Sequence, residues 1–189
     1  MLNSLSNPKT ENYLEFKRWV LSPYCLWSYV SSATRDYNAP VDIEGEQKSL
    51  PYYTRTIKQR PENTGKDPGM NSSIQEVNII THVLDEILVF NDIKISDYAR
   101  ISINCNHPEK KIYNNLPHID HQFPHGNVIV YLTDSGGKTF VKNEDTSLYE
   151  EHDPVEDDII LFSGKHFMQS PSDNRRIVLV ATILPQVLE

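Results

Sequence analysis

Apolar positions recur with two different periods along this chain, and the switch between them divides it. Between residues 12 and 30, Tyr13, Leu14, Phe16, Trp19, Val20, Leu26 and Trp27 are dense enough for a packed helical region, interrupted at Ser22-Pro23. Ile74, Val77, Ile80, Leu84, Ile87 and Leu88 keep helical spacing to about Phe90. Asn71-Ser72-Ser73 supplies an N-cap signal for that helix, with Gln75 or Glu76 about three residues on. Beyond it the pattern shortens to β-rich runs at 99–106, 127–132, 138–141, 158–162 and 176–184, separated by turn residues. Asp134-Ser135-Gly136-Gly137 carries a hairpin signal. Many short strands predict a sandwich or barrel-like β architecture with the earlier helices on its outer face.

The segment 36–71 breaks both periods, being polar and rich in Pro, Asn and charge. It reads as a long loop, either a functional lid or disordered, to which Tyr52, Tyr53, Arg55, Lys58 and Arg60 lend aromatic and basic character. Length adds a bound: 189 residues are most simply one domain, with 1–95 as a helical and loop support region and 96–189 as the strand core. A formal charge of −8 offers no global attraction for nucleic acid or anionic membranes, although a local basic patch stays open. Cys25 and Cys105 are far apart and form no CxxC, which argues against a disulfide framework or thiolate zinc site and fits a reducing cytosol. No secretory signal is read in MLNSLSNPKTENY, and no apolar run approaches the roughly 20 residues that span a bilayer, so a cytoplasmic protein is expected.

The candidate chemistry lies in the second half. In His118-Ile119-Asp120, one intervening residue puts both side chains on one face of a strand, because the strand period is two. His166 follows the apolar run Ile159-Ile160-Leu161-Phe162 and a Ser-Gly-Lys turn, so a second imidazole reaches the same end of the strands. Two histidines and one carboxylate on one side of a metal, with the opposite positions open, are the ligand pattern of non-haem Fe(II) oxygenases. An HxD alone is weak, since His and Asp are common at surfaces. His121 and His125 compete through helical spacing with His118, but Pro117 and Pro124 disfavour a helix there and leave both as loop residues. His82 falls in the predicted helix, His107 precedes a proline, and His152 lies in an acidic stretch expected to be a solvated connection. Arg175 and Arg176 fall on opposite faces of the last strand, and alternation alone leaves both as candidates to hold an acid.

Taken together, ARISINCN, LPHIDHQ, VIVYLTDSGGKTFV, DDIILFSGKHFMQSP and RRIVLVATI resemble the Fe(II)/2-oxoglutarate-dependent oxygenase superfamily, within it the prolyl-4-hydroxylase-like group. The resemblance runs from about Tyr98 to Leu184. It implies a double-stranded β-helix (a cupin-like jelly roll) that is mainly β, with N-terminal helices packed on one face. It implies Fe(II) on His118, Asp120 and His166, with 2-oxoglutarate and O2 as co-substrates. Arg176, about ten residues after the distal histidine, becomes the candidate for the far carboxylate of 2-oxoglutarate. Relatives often carry a co-substrate tyrosine near the end of the strand before the HxD. Here that strand ends Asn104-Cys105-Asn106, which leaves Asn106 and Tyr131 as alternative co-substrate residues. The implied reaction is hydroxylation of an unactivated C–H bond coupled to decarboxylation of 2-oxoglutarate to succinate and CO2. A peptidyl proline or other protein side chain is the first substrate class. A nucleobase or small molecule, a cupin-like metalloenzyme without 2-oxoglutarate, and a non-catalytic metal-binding jelly roll are the alternatives.

Overall fold

The computed structural model describes residues 1–32, 45–63 and 72–186. Among them are ten strands and two α-helices in the order β1 (Leu2–Leu5), α1 (Glu11–Leu21), β2 (Ser28–Val30), β3 (Tyr52–Lys58), α2 (Ile74–Phe90), β4 (Ile95–Asn106), β5 (Gly126–Tyr131), β6 (Thr139–Lys142), β7 (Tyr149–His152), β8 (Ile159–Phe162), β9 (His166–Met168) and β10 (Arg176–Pro185). Seven strands form one sheet in the order β1-β8-β5-β10-β4-β3-β2, and three form a second, β7-β6-β9. Every strand pair is antiparallel.

Both helices start where side chains can replace missing backbone partners. The Thr10 hydroxyl accepts from the Tyr13 amide in α1. In α2 Ser73 accepts from the Glu76 amide while the Glu76 carboxylate accepts from Ser73, the reciprocal arrangement that saturates two orphan N–H groups. Tyr13, Phe16 and Val20 of α1 and Ile80, Val83, Leu84, Ile87 and Leu88 of α2 join one core cluster with Ile101, Ile103, Val128, Val130, Ile177, Leu179, Ala181 and Ile183 of the large sheet. Burying each aliphatic side chain is worth roughly 2 kcal/mol. The opposite face of the same strands builds a second cluster, in which Ile129, Tyr131, Phe162, Val178 and Val180 meet Val141 of the small sheet. Strand β10 is therefore buried on both faces, which explains its unbroken apolar run.

Three expectations change. The helical region read to residue 30 ends at Leu21, and Ser28–Val30 is strand β2 paired with β3. Part of the supposed loop 36–71 is strand: Tyr52–Lys58 pairs with β4, with Arg55 and Ile57 buried on one face. Its charges and flanking prolines hide a β-branched content, Thr54, Thr56 and Ile57, that favours a strand. The remainder of that segment at 33–44 and 64–71 lies outside the described residues. Asp134 to Gly137 makes no hairpin either, because β5 pairs with β10 and β8 while β6 belongs to the other sheet. Gly136 and Gly137 have φ of 63° and 75°, the left-handed turn chemistry of a hairpin used here to cross between sheets.

Between the sheets and the first helix, Asp157 accepts from the Tyr13 hydroxyl at 2.5 Å and Lys17 at 2.5 Å, with Lys9 at 3.0 Å. Burial pushes its carboxyl up, but the bonds from Lys17, Tyr13 and Lys9 outweigh that and hold it at about 2. A folded-state value below the unfolded one stabilises the protein above about pH 4, and the gain is lost as pH falls toward 2. Asp157→Asn, which tolerates the φ of 72° at this position, is expected to cost about 1 to 2 kcal/mol at pH 7 after allowance for solvent screening. Urea melts should show that difference vanish by about pH 2; an unchanged difference there would contradict the linkage.

Candidate metal centre

His118 and His166 face each other in one isolated antiparallel bridge, His118 N–H donating to His166 O at 3.0 Å and His166 N–H to His118 O at 2.9 Å. The sequence pattern placed the HxD on a strand; in the structure only His118 is paired, in this one bridge, and the chain bends at Asp120. Alternation still holds, since Ile119 is 46% exposed while Asp120 is 8% exposed. The ligand-type atoms of His118, Asp120 and His166 all lie within 4.8 Å of one another, and His166 Nε2 is 3.6 Å from Asp120 Oδ2.

Each of the three is prepared at its other end. His118 Nδ1 meets Leu116 O at 3.1 Å, and His166 Nδ1 meets Gly164 O at 3.2 Å. A ring nitrogen bonded to a carbonyl carries the proton, so each Nε2 keeps its lone pair for a metal. Burial lowers both imidazoles, His166 to about 4. For Asp120 burial acts upward, but His166, Arg100, His118 and Arg60 override it and hold the carboxyl well below the usual range. Neutral imidazoles beside an ionised carboxylate are the protonation states a divalent ion requires. With three donors on one side, the residues present fit a six-coordinate metal that retains open positions.

The triad opens on a cavity of about 100 Å³. Arg60, Arg100 and Asn106 contribute polar lining, and Ile129, Phe162, Met168 and Val180 contribute apolar lining. Asn104, Asn115 and Asn127 also line it, their side-chain oxygens engaged by Thr54 Oγ1, Leu50 N–H and Thr182 Oγ1. The Nδ2 group of Asn127 is buried without a partner. A larger surface cleft of about 580 Å³ beside Leu21, His107 and Arg175 contains none of the triad and is too open to shield chemistry.

Arg176 and Tyr131 sit away from that lining. Arg175 is exposed and Arg176 is 1% exposed, so the inward-facing arginine is the one ten residues after His166. Its guanidinium donates to Gln169 O at 2.9 Å, to Gly136 O at 2.7 Å and to Gly137 O, while its Nε has no partner. No carboxylate pairs with it among the described residues. Tyr131, fully buried, is electrostatically coupled to it and hydrogen-bonds Thr139 through hydroxyls 2.6 Å apart. Burial pushes the Tyr131 phenol up to about 12, partly offset by Arg176, so it stays neutral.

The competing histidines have other occupations. His121 Nδ1 bonds Glu62 at 2.8 Å and His82 pairs with Glu86 at 3.4 Å. His152 stands on β7 beside Tyr131 and Asp158 rather than in a solvated connection. Sequence reasoning missed Thr139, Arg100 and the three asparagines as site residues. Only Thr139 had a local signal, the Gly-Gly-x-Thr spacing.

A Cβ on Gly137 would come within 2.4 Å of Ser170 O and 2.5 Å of Arg176 Nη2, at a φ of 75°. Gly137→Ala is therefore expected to destabilise by more than about 2 kcal/mol, against about 1 kcal/mol for Gly164→Ala at a φ of 95°, whose new methyl meets nothing closer than Glu144 Oε1 at 3.5 Å. Equal costs in denaturant melts would mean that Gly137 serves only its φ and not the approach of Arg176.

No protein-family profile matches the chain, and no curated protein does. Solved structures do. An oxidoreductase of the 2OG-Fe(II) oxygenase family from Burkholderia pseudomallei superposes with a TM-score of 0.58 at 15% identity, over 97% of this chain and 85% of that one. A prolyl hydroxylase from Trichoplax adhaerens, solved with a hypoxia inducible factor oxygen degradation domain peptide fragment, gives 0.59 at 15% identity over 97% and 83%. The non-heme alpha ketoglutarate dependent epimerase SnoN of nogalamycin biosynthesis gives 0.57 at 12% over 97% and 77%. The chain thus has the fold of the 2OG-Fe(II) oxygenases and prolyl hydroxylases, a mainly β jelly roll.

Proposed function

We propose that the chain, acting as one domain, is an Fe(II)- and 2-oxoglutarate-dependent dioxygenase that hydroxylates an unactivated C–H bond. The observation that carries this reading is Arg176: a buried guanidinium with no carboxylate partner among the described residues, set beside the hydroxyls of Tyr131 and Thr139. An unpaired buried charge is costly, and a carboxylate arriving from a ligand removes that cost. A triad alone fits many metalloenzymes; a triad with a waiting cation fits a metal-chelating dicarboxylate.

In this reading His118 Nε2, Asp120 Oδ2 and His166 Nε2 hold Fe(II). Bound iron supplies oxygen activation coupled to decarboxylation of 2-oxoglutarate to succinate and CO2. Arg176 anchors the far carboxylate, assisted by the Tyr131 and Thr139 hydroxyls, and fixes the direction in which the co-substrate enters. Asn106, on the cavity lining and in register with Arg176, is a candidate donor to the co-substrate. Phe162, Met168 and Val180 exclude water from the reacting carbon.

For the primary substrate we propose a peptide side chain such as proline. The likeness in fold to a prolyl hydroxylase solved with a peptide fragment supports this class. A small-molecule substrate is the second reading, favoured by the likeness to SnoN. Free, buried Cys25 and Cys105 support a reducing, cytoplasmic setting, and no helix among the described residues is long and apolar enough to cross a membrane.

Anaerobic titration of the purified protein with Fe(II) and then 2-oxoglutarate is expected to give the metal-to-ligand charge-transfer band of the chelate. His118→Ala and Asp120→Ala should lose the band and succinate formation while keeping the fold. Arg176→Lys should keep the band but weaken 2-oxoglutarate roughly 10- to 100-fold. Iron binding without any band, or full turnover in the His118 variant, refutes the proposal.

A further inference from the structure

Asp120 presents one oxygen toward His166 and has the other taken by two cations. Oδ1 accepts from Arg60 Nη2 at 2.6 Å and from Arg100 Nη1 at 3.0 Å, and Arg60 Nη1 also donates to the Asp120 backbone carbonyl. The two arginines come from separate places. Arg100 stands on β4, and Arg60 belongs to the strap that follows β3 and enters a short 3-10 turn at Pro61–Asn63. The strap makes a second attachment next door, Glu62 Oε1 to His121 Nδ1 at 2.8 Å. Residues 60 and 62 are thus fastened to residues 120 and 121, ligand to cation and imidazole to carboxylate.

One guanidinium would suffice to compensate a single buried carboxylate. A second on the same oxygen costs further desolvation and adds positive charge near a site meant for a dication. What the pair gains is geometry: with Oδ1 saturated, only Oδ2 is free, and its carboxylate plane cannot rotate to chelate through both oxygens. Outer-sphere partners that fix a ligand in this way typically contribute 10- to 100-fold in metal affinity.

We propose that Arg60 and Arg100 are positioning residues that hold Asp120 as a single-oxygen ligand, and that metal loading in turn tightens the 60–62 strap on the His118–Asp120 segment. The proposal rests on the triad being a metal site. The second half follows from the first, because coupling between strap and metal must be reciprocal.

The test titrates the whole protein with Fe(II) alone, anaerobically and without 2-oxoglutarate. Hydrogen exchange at the amides of residues 60 and 62 is followed with and without metal. Arg60→Gln, at the more accessible arginine, is expected to weaken Fe(II) binding more than threefold and toward the 10- to 100-fold range, with the apo protein still cooperatively folded. It should also abolish the slowing of strap exchange that metal produces in the unaltered protein. Arg100→Gln should act in the same direction and Arg100→Lys should restore most of the affinity. Affinity within threefold, or tighter binding on removal of a repelling cation, overturns the proposal and leaves the arginines as charge compensation. If the unaltered protein binds Fe(II) but forms no chelate band with 2-oxoglutarate, the oxygenase reading fails while this one stands.

Discussion

Two backbone hydrogen bonds between His118 and His166 are the constraint on which the site depends. The HxD segment has no longer strand pairing to define it, and β9 is only three residues long. Joined across the bridge, the two histidines bring their rings to a centroid distance of 4.5 Å, and Asp120, two residues on, brings its carboxylate to the same site. Burial then acts on what the bridge has gathered. It keeps both imidazoles neutral, while neighbouring positive charge keeps the carboxylate ionised.

The second organising element is strand β10. Its odd-numbered residues from Ile177 to Ile183 pack with the helices, and its even-numbered residues Val178 and Val180 pack between the sheets. Arg176 begins the inner row, in register with Asn106 of β4. One strand therefore links the apolar interior, the cavity lining at Val180 and the buried cation. The turn at Gly136 and Gly137 completes the arrangement, because its left-handed backbone turns two carbonyls onto the guanidinium.

Features with a local cause were legible in the sequence. The α2 boundaries follow from the Ser73–Glu76 cap and a long helical period, and the central strands follow from apolar runs between turns. The triad could be read because residue spacing in an extended chain fixes which way side chains face. Strand β3 was hidden by its charges, since a buried Arg55 paired with Glu76 looks like loop polarity until the partner is known. Strand β1, with Asn3 and Ser4 at its centre, offers too short a pattern to notice. The Asp134–Gly137 signal correctly marked left-handed turn chemistry but could not say which strands the turn connects. Arg100 and Arg60 escaped notice because their role exists only in the folded contact with Asp120.

Charge distribution joins these observations. The chain carries a net −8, yet it sets Arg60 and Arg100 on one ionised carboxylate and buries a third cation, Arg176, apart from it. Two of these cations serve Asp120, and the third has only carbonyls. We propose that this third cation awaits the far carboxylate of a 2-oxo acid. The direct measurement compares dissociation constants of 2-oxoglutarate and 2-oxobutyrate, which lacks that carboxylate, on Mn(II)-loaded protein. 2-Oxoglutarate is expected to bind on the order of 100-fold more tightly. Equal affinity for the two acids would contradict it.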